Sequence, residues 1–191
     1  QNDRARMDQM LVPVFDRLKA QYGVRQMQFH TPPATSFFRV HRPEKYGDDL
    51  SGFRKTVVQT NRTQQPIVGI ERGVAGLGIR GVVPVFEDGR HLGSVELGMS
   101  FGAPFFEQFK DEYGVDTALH LVESDGFSTF ASTIAEKPLL PTEDLQRAVA
   151  GESVIRQVER NGAPTAVYAG AATDYSGEPI PLMSEAVLCA A

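Results

Sequence analysis

The stretch from Phe29 to Pro43, F-H-T-P-P-A-T-S-F-F-R-V-H-R-P, sets two histidines and two arginines among aromatic and apolar residues. Read as a strand, S-F-F-R-V-H-R alternates, so Phe37, Arg39 and His41 share one face. A guanidinium and an imidazole on an inward face need an anionic partner or water. The fork of an arginine matches a carboxylate bidentately, and a histidine adds a directional donor. That carboxylate belongs either to the protein or to a small molecule. Arg80 falls on a predicted central strand, where an arginine rarely sits unpartnered, and Glu71 lies on the strand before it. Two readings stay open. One is a Glu71–Arg80 cross-strand pair with Arg39 at its rim. The other is a site for a small anion, built from Arg39, His41 and Arg80, with His30 on the neighbouring strand and Phe37 alongside. Arg54 and Lys55 open the following helix, where they either close over such a site or form a solvated face.

Other chemistry finds little support. The chain has no G-x-S-x-G, no H-E-x-x-H and no P-loop. Gly73, Gly76 and Gly78 precede a strand instead of opening a helix, so they do not make a phosphate cradle. His30 and His41 have no third ligand at a recognisable metal spacing, so neither a metal nor a cofactor is expected. The single cysteine, Cys189, excludes an intrachain disulfide. A net charge of −5 gives no reason to expect a nucleic acid. Hydrophobic residues at 41% and charged residues at 23% fit a globular domain of 191 residues, and no apolar run reaches a membrane span.

The elements that must position these residues follow in order. Residues 2–21 read as an amphipathic helix, with Met7, Met10, Leu11, Val14 and Leu18 at 3-and-4 spacing, a kink expected at Pro13 and a cap at Gly23. This helix either packs on the core or pairs with a second copy. Strands are predicted over 24–31 and 36–42, then a polar loop, a helix over 53–62, and three strands over 67–73, 74–87 and 91–100. Glycines along the latter three clear bulk from one face. A helix over 103–113 leads to strands at 115–123 and 127–133, a helix from Thr142, and strands at 153–160, 163–173 and 179–188. Asp88-Gly89 and Asn161-Gly162 are hairpin turn signals. The succession strand, strand, helix, antiparallel meander thus occurs twice. The expected class is α+β, with an N-terminal helix at 1–23, one module at 24–114 and a smaller one at 115–191.

Several of these runs resemble a known family. F-H-T-P-P-A-T-S-F-F-R-V-H-R-P-E-K-Y-G-D-D-L-S-G-F-R-K-T-V, G-I-E-R-G-V-A-G-L-G-I-R-G-V-V-P-V-F and Y-A-G-A-A-T-D-Y-S-G-E-P-I look like the double Cache sensor domains of bacterial chemoreceptors and sensor kinases. The resemblance implies two PAS-like modules in a periplasmic, non-enzymatic, ligand-binding input domain. Its parent would be anchored in the inner membrane and dimerise through the N-terminal helix. R-V-H-R-P is also similar to the arginine, histidine and proline pattern of citrate and four-carbon dicarboxylate sensor kinases, although the spacing is R-x-H-x-P here. That likeness implies that Arg39 and His41 hold ligand carboxylates, and it extends to Arg80 by strand position; Glu71, His30, Phe37 and Lys55 join the candidate set from the residue pattern alone.

Overall fold

The computed structural model describes residues 4–73, 76–134, 138–177 and 179–189. Asn2 and Asp3, expected in the first helix, and Val74 and Ala75, expected in the fourth strand, lie outside the described residues. The chain forms two compact units, Gln1–Phe101 and Gly102–Ala191.

In the first unit, helix α1 (Arg4–Tyr22) is followed by strands β1 (Val24–Thr31) and β2 (Thr35–Arg39), helix α2 (Lys55–Thr63), and strands β3 (Ile67–Gly73), β4 (Gly76–Glu87) and β5 (Arg90–Ser100). The sheet order is β2-β1-β5-β4-β3, every pair antiparallel. β1 is therefore an interior strand although it comes first, because the meander returns to lay β5 beside it. One sheet face is apolar: Met27, Phe38, Leu97 and Met99 pack against Met7, Leu11, Phe15 and Leu18 of α1. The helix runs through Pro13 and ends where Gly23, at φ +67, donates its N–H to the Lys19 carbonyl. The other face carries α2, whose Val57 is fully buried with Val82 and Leu50.

Two local irregularities decide what the polar face looks like. The β1–β2 register passes from Phe29↔Phe38 to His30↔Ser36, so Phe37 is an extra, bulged residue. A bulge reverses the alternation, and Ser36, not Phe37, therefore lies on the side of Arg39 and Gln28. The Gln28 amide donates to Ser36 Oγ across that face. The second irregularity is that β2 stops at Arg39, short of the expected Arg42. The Arg42 N–H turns back to the Arg39 carbonyl, and Val40 and His41 form a turn. The segment expected as a loop is tied along the β2 edge, through Gly47 N–H to Ser36, Ser36 N–H to Asp48 and Leu50 N–H to Ala34.

The second unit contains α3 (Ala103–Tyr113), β6 (Asp116–Glu123), β7 (Gly126–Ser132), α4 (Thr142–Val149), β8 (Val154–Arg160), β9 (Ala163–Thr173) and β10 (Pro179–Cys189). Its sheet order, β7-β6-β10-β9-β8, repeats the first topology strand for strand. Leu140, Leu145 and Ala148 bury against Val154, Val167 and Ala169. Asp144 of α4 takes a bidentate bond from Arg156 of β8, which pins the helix to that sheet. Both hairpin signals hold: Asp88-Gly89 and Asn161-Gly162 have positive φ at both positions, as a two-residue type I′ turn requires. Among the described residues no helix is long and apolar enough to cross a membrane.

Candidate functional site

The polar face of the first sheet opens into a cavity of about 600 Å3. Its walls carry seven cationic side chains, Lys19, Arg25, Arg39, Arg42, Lys45, Arg54 and Arg80, against one carboxylate, Asp48. Asp48 offsets Arg39, and Glu71 and Glu96 beneath the cavity offset Arg54 and Arg80, so the excess charge is that of Lys19, Arg25, Arg42 and Lys45, and it favours a negatively charged occupant. Gln26, Gln28, Phe53 and His41 complete much of the lining.

Beneath the cavity lies a buried ionic cluster. Glu71 on β3 and Glu96 on β5 are 6% and 0% exposed. Arg54, immediately before α2, donates through Nε to Glu71 at 2.9 Å and contacts Glu96 through Nη2 at 2.5 Å. Glu71 also accepts the Thr56 backbone N–H and hydroxyl, each at 2.8 Å. A sheet carboxylate thus caps the first turn of α2, satisfying an orphan N–H at the positive end of the helix. Burial opposes the charge of Arg54, but Glu96 and Glu71 hold its affinity for the proton above the ordinary value. His30 lies 3.6 Å from Glu96 and beside Ser94. Burial first, then Arg54 and Arg39, lower its pKa from 6.5 to about 3, so His30 is neutral at physiological pH.

Arg80 reaches across the sheet. Its Nη1 donates to Gln26 Oε1 and lies 3.5 Å from Glu96. Space for the guanidinium comes from glycines. A Cβ on Gly78 would stand 2.9 Å from Arg80 Cζ, one on Gly73 3.1 Å from Nη2, and one on Gly98 closer still to Nη1. The room that the glycines clear is thus occupied by an arginine of the same sheet. Burial first, then Arg54, lowers the pKa of Arg80.

At the other end, Arg39 donates to both oxygens of Asp48 at 2.7 Å and to the Lys45 carbonyl at 2.7 Å. The hydrogen bond from Arg39 depresses the Asp48 carboxyl below its ordinary value. His41 sits in the turn after β2, with Nδ1 3.1 Å from the Met27 carbonyl oxygen and its ring 6.4 Å from that of Phe15. Burial lowers its pKa, and the Met27 contact opposes the shift.

Of the residues singled out from the sequence, Arg39, His41 and Arg80 line the cavity. Glu71 and His30 are buried in the cluster beneath it. The Glu71–Arg80 cross-strand pair, one of the two readings, is replaced by Glu71–Arg54, since Glu71 lies opposite Gly78 in the ladder and Arg54 approaches from the start of α2. Phe37 sits on the α1 side with Arg4 stacked 5.7 Å over its ring, because the bulge turns it away from Arg39. Lys55 is exposed and donates to the Ser51 carbonyl. Of the two cations that open α2, the buried one is thus Arg54. Glu96 was not singled out from the sequence. Its signal was the alternation in G-S-V-E-L-G, which sets Ser94, Glu96 and Gly98 opposite Val95 and Leu97. Among the described residues no cluster of His, Cys, Asp and Glu is arranged to hold a metal.

The fold recurs in solved structures. An extracellular ligand-binding receptor from Desulfohalobium retbaense aligns with a TM-score of 0.56 and 17% identity, over 94% of this chain and 32% of that one. The chain thus spans about a third of that receptor. The ligand-binding domain of a Campylobacter jejuni chemoreceptor, in complex with L-norvaline, aligns with a TM-score of 0.52 and 10% identity, over 94% of this chain and 70% of that one. The periplasmic domain of Vibrio cholerae LuxQ gives 0.52 and 11%, over 99% and 82%. No curated protein matches the chain in sequence. Residues 1–183 match the family described as the double sensory domain of two-component sensor kinases, and the chain therefore belongs to this double Cache family.

Proposed function

We propose that the first unit binds a small carboxylate in the cavity above Arg54 and Arg80, and that the chain is the periplasmic input domain of an inner-membrane receptor. The observation that carries this reading is the seven cations and one carboxylate that line a cavity of about 600 Å3. A volume of that order suits a metabolite. Ligand contacts to both the sheet and the segment 44–62 would favour one arrangement of the two. The shift in population is then limited by the difference in affinity between the arrangements. The outer face of α1, which carries the exposed Met10, is the surface through which two copies would pair. A kinase output is supported by the family description, and a chemotaxis output by the Campylobacter relative.

A second reading, an α-amino acid ligand, draws on that relative and on the one lining carboxylate, Asp48. An ammonium group would need that carboxylate, which Arg39 already holds on both oxygens. A thermal-shift and calorimetric panel of mono-, di- and tricarboxylates, neutral amino acids and inorganic phosphate separates the readings. Stabilisation by carboxylates alone is expected. Stabilisation by neutral amino acids alone would replace the first reading with the second.

A further inference from the structure

The cavity contains two candidate arginines from different strands, and their surroundings differ in kind. We propose that Arg80 is the seat of the ligand's anionic group, and that Arg39 is a positioning residue that clamps the capping segment through Asp48. This assignment rests on the carboxylate reading above and says which side chain performs it.

The fork of Arg39 is filled. Both of its terminal nitrogens are bonded to Asp48 at 2.7 Å, and Nη1 also meets the Lys45 carbonyl. Lys45 and Asp48 belong to the segment that runs along the β2 edge, so three bonds from one guanidinium fasten that segment to the sheet. A ligand could take the end-on Nη1/Nη2 fork of Arg39 only by displacing a bidentate, charge-assisted pair, and three of its five N–H groups are spent, against one at Arg80.

Arg80 is the opposite case. It is 5% exposed, and among the described residues Gln26 Oε1 is the one hydrogen-bond acceptor its guanidinium has. Its Nε is buried without a partner. Glu96, its nearest carboxylate, stands 3.5 Å away and is engaged more closely by Arg54. Formal charge within the set Arg54, Arg80, Glu71 and Glu96 is balanced, so Arg80 lacks acceptors more than counter-charge. A buried guanidinium with one acceptor is under-satisfied, and an anion in the cavity would reach it at Nη2, which is neither hydrogen-bonded nor closed off as Nε is. Gly73, Gly78 and Gly98 leave space that any Cβ would invade, and the guanidinium lies in it. Beside it, Gln26 spends its carbonyl oxygen on Arg80, which leaves its amide N–H groups as further donors at the same end of the cavity.

The test is calorimetric titration of succinate, citrate, L-asparagine and inorganic phosphate into the full chain and into Arg80→Gln and Arg39→Gln. The expected result is at least about a tenfold loss for the bound probe in Arg80→Gln. Arg39→Gln is expected to weaken binding by a smaller factor, since it breaks the clamp. Were Arg39 the seat, Arg39→Gln would cost more than Arg80→Gln, and that outcome overturns the proposal. So does undiminished affinity in Arg80→Gln, while the carboxylate reading survives both. Binding of none of the four probes to the unchanged chain removes the carboxylate reading and this assignment with it. Should Arg80→Gln fail to fold, the Arg80 Nε–Hε resonance of the unchanged chain decides. A shift on saturation with the bound probe supports the seat, and an unmoved resonance overturns it.

Discussion

Arg54 and Glu71 are an ion pair at 2.9 Å whose side chains are only 5% and 6% exposed, and this pair joins the start of α2 to the edge strand β3 on the polar sheet face. The same carboxylate takes two bonds from Thr56. Glu71 therefore holds the start of α2, while Arg54, immediately before that helix, contributes to the wall of the cavity.

Removing one partner of a buried pair leaves the other uncompensated. Glu71→Ala is expected to cost about 3–5 kcal/mol in urea unfolding of the chain. Glu87→Ala, which breaks a pair whose side chains are 65% and 75% exposed, should leave the midpoint unchanged. Equal effects would mean that the buried cluster is not what holds α2.

Acid should weaken the fold through His30. The folded state takes that proton only near pH 3, whereas the unfolded chain takes it near 6.5. Below 6.5 the unfolded state binds a proton that the folded state refuses, so stability present above 6.5 is lost as the pH falls. Between pH 6.5 and 5 the loss from His30 alone is about 2 kcal/mol. His30→Gln should flatten that slope in denaturation curves. An unaltered slope would show that His30 is not the group responsible.

Two glycines of β5 should fail in different ways. A Cβ at Gly93, where φ is +155, would stand 1.9 Å from the His30 carbonyl oxygen, so Gly93→Ala should cost about 2–4 kcal/mol of stability. At Gly98 the Cβ meets the far end of the Arg80 side chain. Gly98→Ala should therefore keep most of its stability and weaken anion binding by about tenfold or more. Melting temperature and calorimetric affinity, measured on both variants, separate the two effects.

Lys55→Ala and Phe37→Ala test the edges of the site. Neither residue lines the cavity. Lys55→Ala should change neither stability nor affinity. Phe37→Ala should cost about 1–2 kcal/mol from lost packing under α1 and leave affinity intact. A tenfold loss of binding in either variant would place the ligand elsewhere.

The class, the twofold repetition of the topology and both type I′ hairpins were legible in the chain because they rest on local signals: period-2 runs, Asp88-Gly89, Asn161-Gly162 and the cap at Gly23. The strand positions of Arg39 and Arg80 were legible for the same reason. Facing and partnership were not. One bulged residue reversed the side on which Phe37 lies, and a bulge leaves no mark in the period of a five-residue strand. Which of Arg54 and Lys55 is buried depended on where α2 begins against the sheet. That start is fixed by Glu71, 15 to 17 residues away in sequence. The partner of Arg80 was likewise decided by β5 returning beside β1, which brings Glu96 and Gln26 to one guanidinium. Local sequence determined the elements and the charges they carry. Only the closed sheet decided which charges meet, because a buried ion pair is set by cross-strand register and helix docking, and neither is a property of any short stretch of chain.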